Sequence, residues 1–132
     1  MLHKIIKMAV FGCTCIFLIT GCYKDKSIII VKTEEITTPV SFSLDVIPIL
    51  TKNCALSGCH SNGGQVPDLT PNNARRALLE QNLIDINNPA KSEVMGWLTG
   101  TIKPAMPLGA ATNPSNINAL MLAWIKQGAK NN

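Results

Sequence analysis

The sequence predicts an all-α domain of about four modest helices joined by long loops. Three observations lead to this fold class. Apolar residues near the end of the chain recur with the period of an α-helix. Helix start signals occur as Thr-Pro at 70–71 and Asn-Pro at 113–114. Glycine and proline concentrate between the predicted helices, at 58–68 and 100–114, which is typical of loops.

The first two predicted helices lie in the first half of the domain. One covers about residues 43–53 and places Leu44, Ile47 and Leu50 on a single face. The next covers 70–81, where a threonine cap is followed by proline at the first helical position.

The third predicted helix is short, at about 92–99, and the fourth runs from 113–114 to a stop at Gly128. The apolar stripe of the fourth helix consists of Ile117, Leu120, Met121, Trp124 and Ile125. We expect Trp124 to pack the last helix on the first. A domain of about 90 residues with this much loop buries only about 60–70% of its unfolded surface. We therefore expect another group to fill its centre.

The N-terminal residues 1–21 are predicted to be a signal peptide. Lys4 and Lys7 give it a positive start. The uncharged run that follows, at 8–19, is too short for a comfortable transmembrane helix. The alternative is an uncleaved anchor helix.

The run Leu-Ile-Thr-Gly-Cys at 18–22 resembles the lipobox of bacterial lipoproteins. In that family the peptide is cut before the cysteine, which is then acylated. The resemblance implies that Cys22 anchors the protein to a membrane, in the bacterial cell envelope and facing the periplasm. Residues 22–41 would then be a lipid-anchored tether, and 42–132 the folded domain.

In the predicted mature protein, Cys54 and Cys59 are the thiols left without a lipid, and His60 is the only histidine. Export implies an oxidising compartment, where an unbonded thiol pair does not persist. The formal net charge of +4 falls by two, to +2, without Lys4 and Lys7. The sequence has no basic run with interleaved aromatic residues, which argues against a nucleic-acid partner.

The motif Cys-Ala-Leu-Ser-Gly-Cys-His at 54–60 raises four possible kinds of site. Zinc needs about four ligands, more than this motif supplies. A nucleophilic cysteine needs a positioned base, which an adjacent histidine rarely provides. A Cys54–Cys59 disulfide is feasible but leaves His60 unexplained. Covalent haem accounts for all three residues, because two cysteines form thioethers and the following histidine ligates the iron.

Four segments, in their order, resemble the c-type cytochrome family, class I. They are DVIPILTKNCALSGCH, NGGQVPDL, KPAMPLG and INALMLAWIKQGA, and the match covers about residues 42–130. The usual spacing of the two cysteines is two residues, whereas here four intervene, and we expect residues 57–58, Ser-Gly, to loop out. The resemblance implies a small cytochrome c-like fold around one covalently bound haem c.

The resemblance also implies the roles of individual residues. Cys54 and Cys59 would carry the haem, and His60 and Met106 would ligate its iron. The carbonyl of Pro67 would accept a hydrogen bond from the ring of His60 and fix its orientation. The implied haem-pocket residues are Pro67, Leu69 and Trp97.

The residues around Met106 favour it over Met95 and Met121 as the second axial ligand. Met106 lies between two prolines, in a segment that is not helical, so coordination costs it little entropy. Met95 and Met121 lie on predicted helices, and we expect Met121 in the core and Met95 in the core or the pocket wall.

With both axial positions filled, we expect an electron-transfer protein and not an enzyme. Its partners would be redox proteins, which the sequence does not identify, and the membrane through Cys22. One alternative is a non-redox structural or binding lipoprotein with a Cys54–Cys59 disulfide. Another is a haem enzyme or gas sensor in which Met106 is displaced.

Overall fold

The computed structural model describes residues 35–109 and 115–132, which lie within one compact unit, Lys32–Asn132. Over these residues the regular structure is helical, with no strand, which confirms the all-α prediction. The predicted signal peptide, 1–21, and the predicted lipidation site, Cys22, lie outside the described residues. Within the described part, no helix has the length and apolar character needed to cross a membrane.

The described residues form four α-helices, the predicted number. They are α1 (Ile47–Asn53), α2 (Ala74–Glu80), α3 (Glu93–Thr99) and α4 (Ser115–Lys126). A π-helical turn, Phe42–Val46, leads directly into α1, and a short 3₁₀ turn, Pro89–Lys91, precedes α3. Helix α2 begins later than predicted, because residues 71–73 form a turn that is held by hydrogen bonds to the carbonyl oxygen of Thr70.

The buried face of the first helix differs from the predicted one. Leu44 is 78% exposed, so its predicted place on the buried face is wrong. The core side carries Phe42, Val46 and Leu50, each four residues after the last. The segment offers two overlapping apolar stripes, and the stripe that starts at Phe42 is buried because this ring stacks on Trp124.

Helix α4 packs its apolar stripe into the core, as predicted. Its buried residues include Ile117, Met121, Trp124 and Ile125, and Leu120 is half-buried. The ring centroids of Trp124 and Phe42 lie 4.9 Å apart, which confirms that Trp124 packs the last helix against the first. Its indole Nε1 donates to the carbonyl oxygen of Lys130 at 2.9 Å. Gly128, with φ +92°, ends the helix as predicted, whereas the predicted start at 113–114 lies outside the described residues.

Within residues 35–41, which the sequence assigns to the tether, Ile36 and Val40 pack against the hydrophobic core. Val40 is buried, and its N–H donates to Oε1 of Gln127 at 2.8 Å. The Nε2 of Gln127 donates in turn to the carbonyl oxygen of Thr38 at 2.9 Å. The packed part of the chain therefore begins before the boundary predicted at residue 42.

Asn132 caps the first helical turn. The N–H of Phe42 donates to Oδ1 of Asn132 at 2.9 Å, and the N–H of Ser43 donates to its backbone oxygen at 2.8 Å. The first N–H groups of a helix have no acceptor within the helix, and Asn132 supplies one to each of these two. The first helix and the last described residue are thereby joined.

Replacing Trp124 with alanine is expected to lower the free energy of unfolding by about 3–5 kcal/mol, because it removes a fully buried ring. Urea unfolding followed by circular dichroism measures the change. The control is Leu44→Ala, which alters an exposed side chain and should change stability by no more than about 0.5 kcal/mol. Equal losses in the two variants would contradict this account of the core.

Candidate functional site

Cys54 lies directly after α1 and is half-buried. Its N–H donates to the carbonyl oxygen of Leu50 at 2.9 Å, so the last turn of the helix fixes its backbone. Its side chain packs against the hydrophobic core. Burial, together with the nearby Cys59, raises the pKa of the Cys54 thiol to about 11. Cys59 is exposed, and both cysteines are free thiols in this structure.

The four residues between the cysteines include a tight turn. The N–H of Cys59 donates to the carbonyl oxygen of Leu56 at 2.9 Å, with Ser57 and Gly58 at the two central positions. Gly58 has φ +78°, a conformation that glycine adopts without steric cost. Ser57 and Gly58 therefore loop out, as predicted from the longer spacing.

The loop from Cys54 to His60 is closed by a second backbone hydrogen bond. The N–H of His60 donates to the carbonyl oxygen of Cys54 at 3.1 Å. The carbonyl oxygen of His60 accepts from the N–H of Leu69 at 2.9 Å. Leu69 is buried in the core, so the backbone of His60 is held on both sides by ordered parts of the fold.

The ring of His60 has a defined tautomer. Its Nδ1 lies 3.0 Å from the carbonyl oxygen of Pro67, which is the contact that the sequence resemblance implies. A carbonyl oxygen only accepts, so Nδ1 must carry the proton. In the neutral ring, Nε2 then has its lone pair free, which is the state in which histidine binds a metal.

The glycine-rich segment after His60 folds closely against the backbone of Cys59. The N–H of Gln65 donates to the carbonyl oxygen of Cys59 at 2.6 Å. A Cβ atom on Gly64 would lie 2.3 Å from the same oxygen, so only glycine fits there. Sequence analysis did not single out Gly64, although the neighbouring Gly-Gly pair at 63–64 marks the turn.

Asp68 fixes the segment between Pro67 and α2. Its Oδ1 accepts from the N–H and the hydroxyl of Thr70 at 2.9 and 2.6 Å, and its Oδ2 accepts from Nδ2 of Asn73 at 2.8 Å. These hydrogen bonds, those from Thr70 first, lower the pKa of the Asp68 carboxyl group. Sequence analysis missed this network, although Asp and Thr two residues apart are typical of such turns.

A backbone hydrogen bond joins Met106 to Trp97 in the C-terminal half of the domain. The N–H of Met106 donates to the carbonyl oxygen of Trp97 at 2.9 Å, and both residues are half-buried. Residues 101–108 are not helical, as predicted for the segment around Met106. Met95 and Met121 are buried in the core, also as predicted.

The predicted site residues thus form two groups in the described structure. Backbone and ring hydrogen bonds join His60 to Cys54, Pro67 and Leu69, and Cys59 lies in the same loop. A separate hydrogen bond joins Met106 to Trp97. Within the described residues, no three His, Cys, Asp or Glu side chains are arranged to hold a metal ion by themselves.

Comparisons of the chain with protein-family models, with curated proteins and with solved structures found no match.

Replacing Asp68 with alanine is expected to lower the melting temperature at neutral pH. The folded pKa of Asp68 is lowered, so its stabilisation is complete above the unfolded pKa, about 3.9, and is lost as the pH falls through the folded pKa. The difference between wild type and Asp68→Ala should therefore shrink below about pH 4. Thermal unfolding from pH 7 to pH 2 measures it.

The matched control is Glu80→Gln, which removes an exposed ion pair with Arg76. Such a pair contributes little, so the control should follow wild type closely across the same range. A difference for Asp68→Ala that stays constant down to pH 2 would contradict the role of its ionised carboxylate.

Proposed function

We propose that the protein is a monohaem c-type cytochrome that transfers electrons. One haem c would be bound through thioethers to Cys54 and Cys59, and His60 and Met106 would ligate its iron. The observation that carries the proposal is the 3.0 Å hydrogen bond between Nδ1 of His60 and the carbonyl oxygen of Pro67. It fixes the ring and leaves the lone pair of Nε2 free in the neutral form, and the two thiols belong to the same loop.

The residues present suit such a group. Cys54 and Cys59 are free thiols in one closed loop, and each would supply one sulfur for a thioether bond. Metal-ligating histidines commonly donate their other ring N–H to a carbonyl, which orients the ring and raises its basicity. The hydrogen bond from Nδ1 of His60 to the carbonyl oxygen of Pro67 orients the ring in this way.

Met106 supports the proposal through the way its backbone is held. Its N–H is bonded to the carbonyl oxygen of Trp97, which belongs to α3. A thioether side chain on a backbone tied to a helix loses little freedom on coordination. Trp97 is half-buried beside this segment and would form part of the pocket wall. The buried Leu69 would hold the loop that carries His60 against the core.

A haem c would supply a reversible change between the ferrous and ferric states. With His60 and Met106 on the two axial positions, no position would stay open for a substrate, so we propose that the protein is not an enzyme. A thioether ligand and exclusion of water would raise the reduction potential. The proposed partners are redox proteins.

The proposed location is the periplasmic side of a bacterial membrane. It depends on the lipobox-like sequence at 18–22, whose cysteine, Cys22, would carry the lipid. A lipid anchor would hold the domain close to membrane-bound or periplasmic redox proteins. The short segment from Cys22 to Glu35 would then separate the lipid from the packed residues.

A pyridine haemochrome spectrum of the purified protein, taken after an acidified acetone wash, tests the cofactor. The wash removes non-covalent haem, so a retained c-type spectrum is the expected result. No retained haem, together with mass spectrometry that finds Cys54 joined to Cys59, would favour the other function. The protein would then be a non-redox structural or binding lipoprotein.

Carbon monoxide tests the second axial ligand. The reduced wild-type protein should resist carbon monoxide, because a bound thioether blocks the iron, whereas reduced Met106→Ala should bind it and shift its absorption bands. The matched control is Met121→Leu, a core replacement of similar volume that should keep the resistance. Ready binding by reduced wild type would instead indicate a haem enzyme or gas sensor.

A further inference from the structure

We propose that the two thiols of the site react in a fixed order, Cys59 first and Cys54 second. This inference rests on the proposed function where it concerns haem: the first thioether would then form at Cys59. The inference follows from the different surroundings of the two side chains. The sequence motif alone does not distinguish them. Access of a reagent to the sulfur is one of the factors that set how fast a thiol is attacked.

Cys59 is the accessible member of the pair. It is exposed, and so are its neighbours Ser57 and Gly58. A Cβ atom built on Gly58, the residue before Cys59, would meet nothing within 4 Å, so the space around Gly58 is open. The close contacts that hold this segment, from Gly64 and Gln65, are made to the carbonyl oxygen of Cys59 and leave its side chain uncovered.

Cys54 is the shielded member. Its backbone is fixed at the end of α1 by a hydrogen bond to Leu50, which is itself buried. Its side chain is half-buried and packs on the hydrophobic core. A planar group as large as a porphyrin would meet more steric hindrance at this sulfur than at that of Cys59. Attachment at Cys59 would deliver it to Cys54.

Each attachment is a balanced addition. The thiol S–H adds across the C=C bond of a vinyl group, so that a C–S bond forms and the proton goes to the neighbouring carbon. No electron is gained or lost overall, and no leaving group is released. Once the first bond is made at Cys59, the second addition at Cys54 occurs within one molecule and has a high effective concentration.

Partial labelling of the full chain, prepared without haem, tests the order directly. Cys13, Cys15 and Cys22 are first replaced by serine, which leaves Cys54 and Cys59 as the thiols. A substoichiometric amount of iodoacetamide then forms a C–S bond and releases iodide. Peptide mapping by mass spectrometry should find the adduct on Cys59 at least about ten times more often than on Cys54.

The same labelling in urea provides the control, because unfolding exposes both thiols and should remove the preference. Equal labelling in native buffer, or a preference for Cys54, would overturn the proposal. This measurement needs no haem, so its result tests the order of reaction independently of the proposed function. The haemochrome spectrum tests the proposed function.

Two single replacements in a host that attaches haem test the consequence. Cys54→Ser keeps the accessible thiol and should retain haem through acidified acetone, at a reduced yield. Cys59→Ser keeps only the shielded thiol and should retain several-fold less haem per protein. The reverse order of retention would contradict the proposal, even if wild type carries a full complement of haem.

Discussion

The contact between Trp124 and Phe42 is the interaction on which the rest of the structure depends. It joins the first helical segment to the last across more than half of the chain, with ring centroids 4.9 Å apart. Because Phe42 is fixed, the helix that follows has one buried face, and this face ends at Leu50. Cys54 follows about one helical turn after Leu50, and its side chain packs against the core.

From that point the loops of the site are held mostly by backbone hydrogen bonds. Cys54, Cys59 and His60 each offer a carbonyl oxygen that accepts from a residue further along the chain. The fold around the site therefore depends on the path of the backbone more than on packed side chains. This explains why so small a core can support long loops, and why a glycine at position 64 matters as much as an apolar residue would elsewhere.

Sequence reasoning predicted well the features that repeat or that have local causes. The stripe of α4 and the turn at Ser57 and Gly58 follow from periodicity and from the properties of glycine. The exposure of Leu44 was not predictable in this way, because the choice between two apolar stripes depends on Trp124, about 80 residues away. The packing of residues 35–41 was missed for the same reason, since their partner, Gln127, is distant in sequence. The ring contact of His60 was expected only from a family resemblance.

The hydrogen bonds from Phe42 and Ser43 to Asn132 join the first helical turn to the last described residue. Its hydrogen bond to Phe42 spans a sequence separation of 90 residues, so it closes a loop of nearly the whole domain. Closing so long a loop costs more entropy than closing a short turn, and this hydrogen bond is only partly buried. Hydrogen bonds that are partly open to solvent have low local stability, so the Asn132 cap should open before the buried ring contact between Phe42 and Trp124. The loop from Cys54 to His60 has hydrogen bonds that span at most six residues. It should stay closed while the Asn132 cap opens.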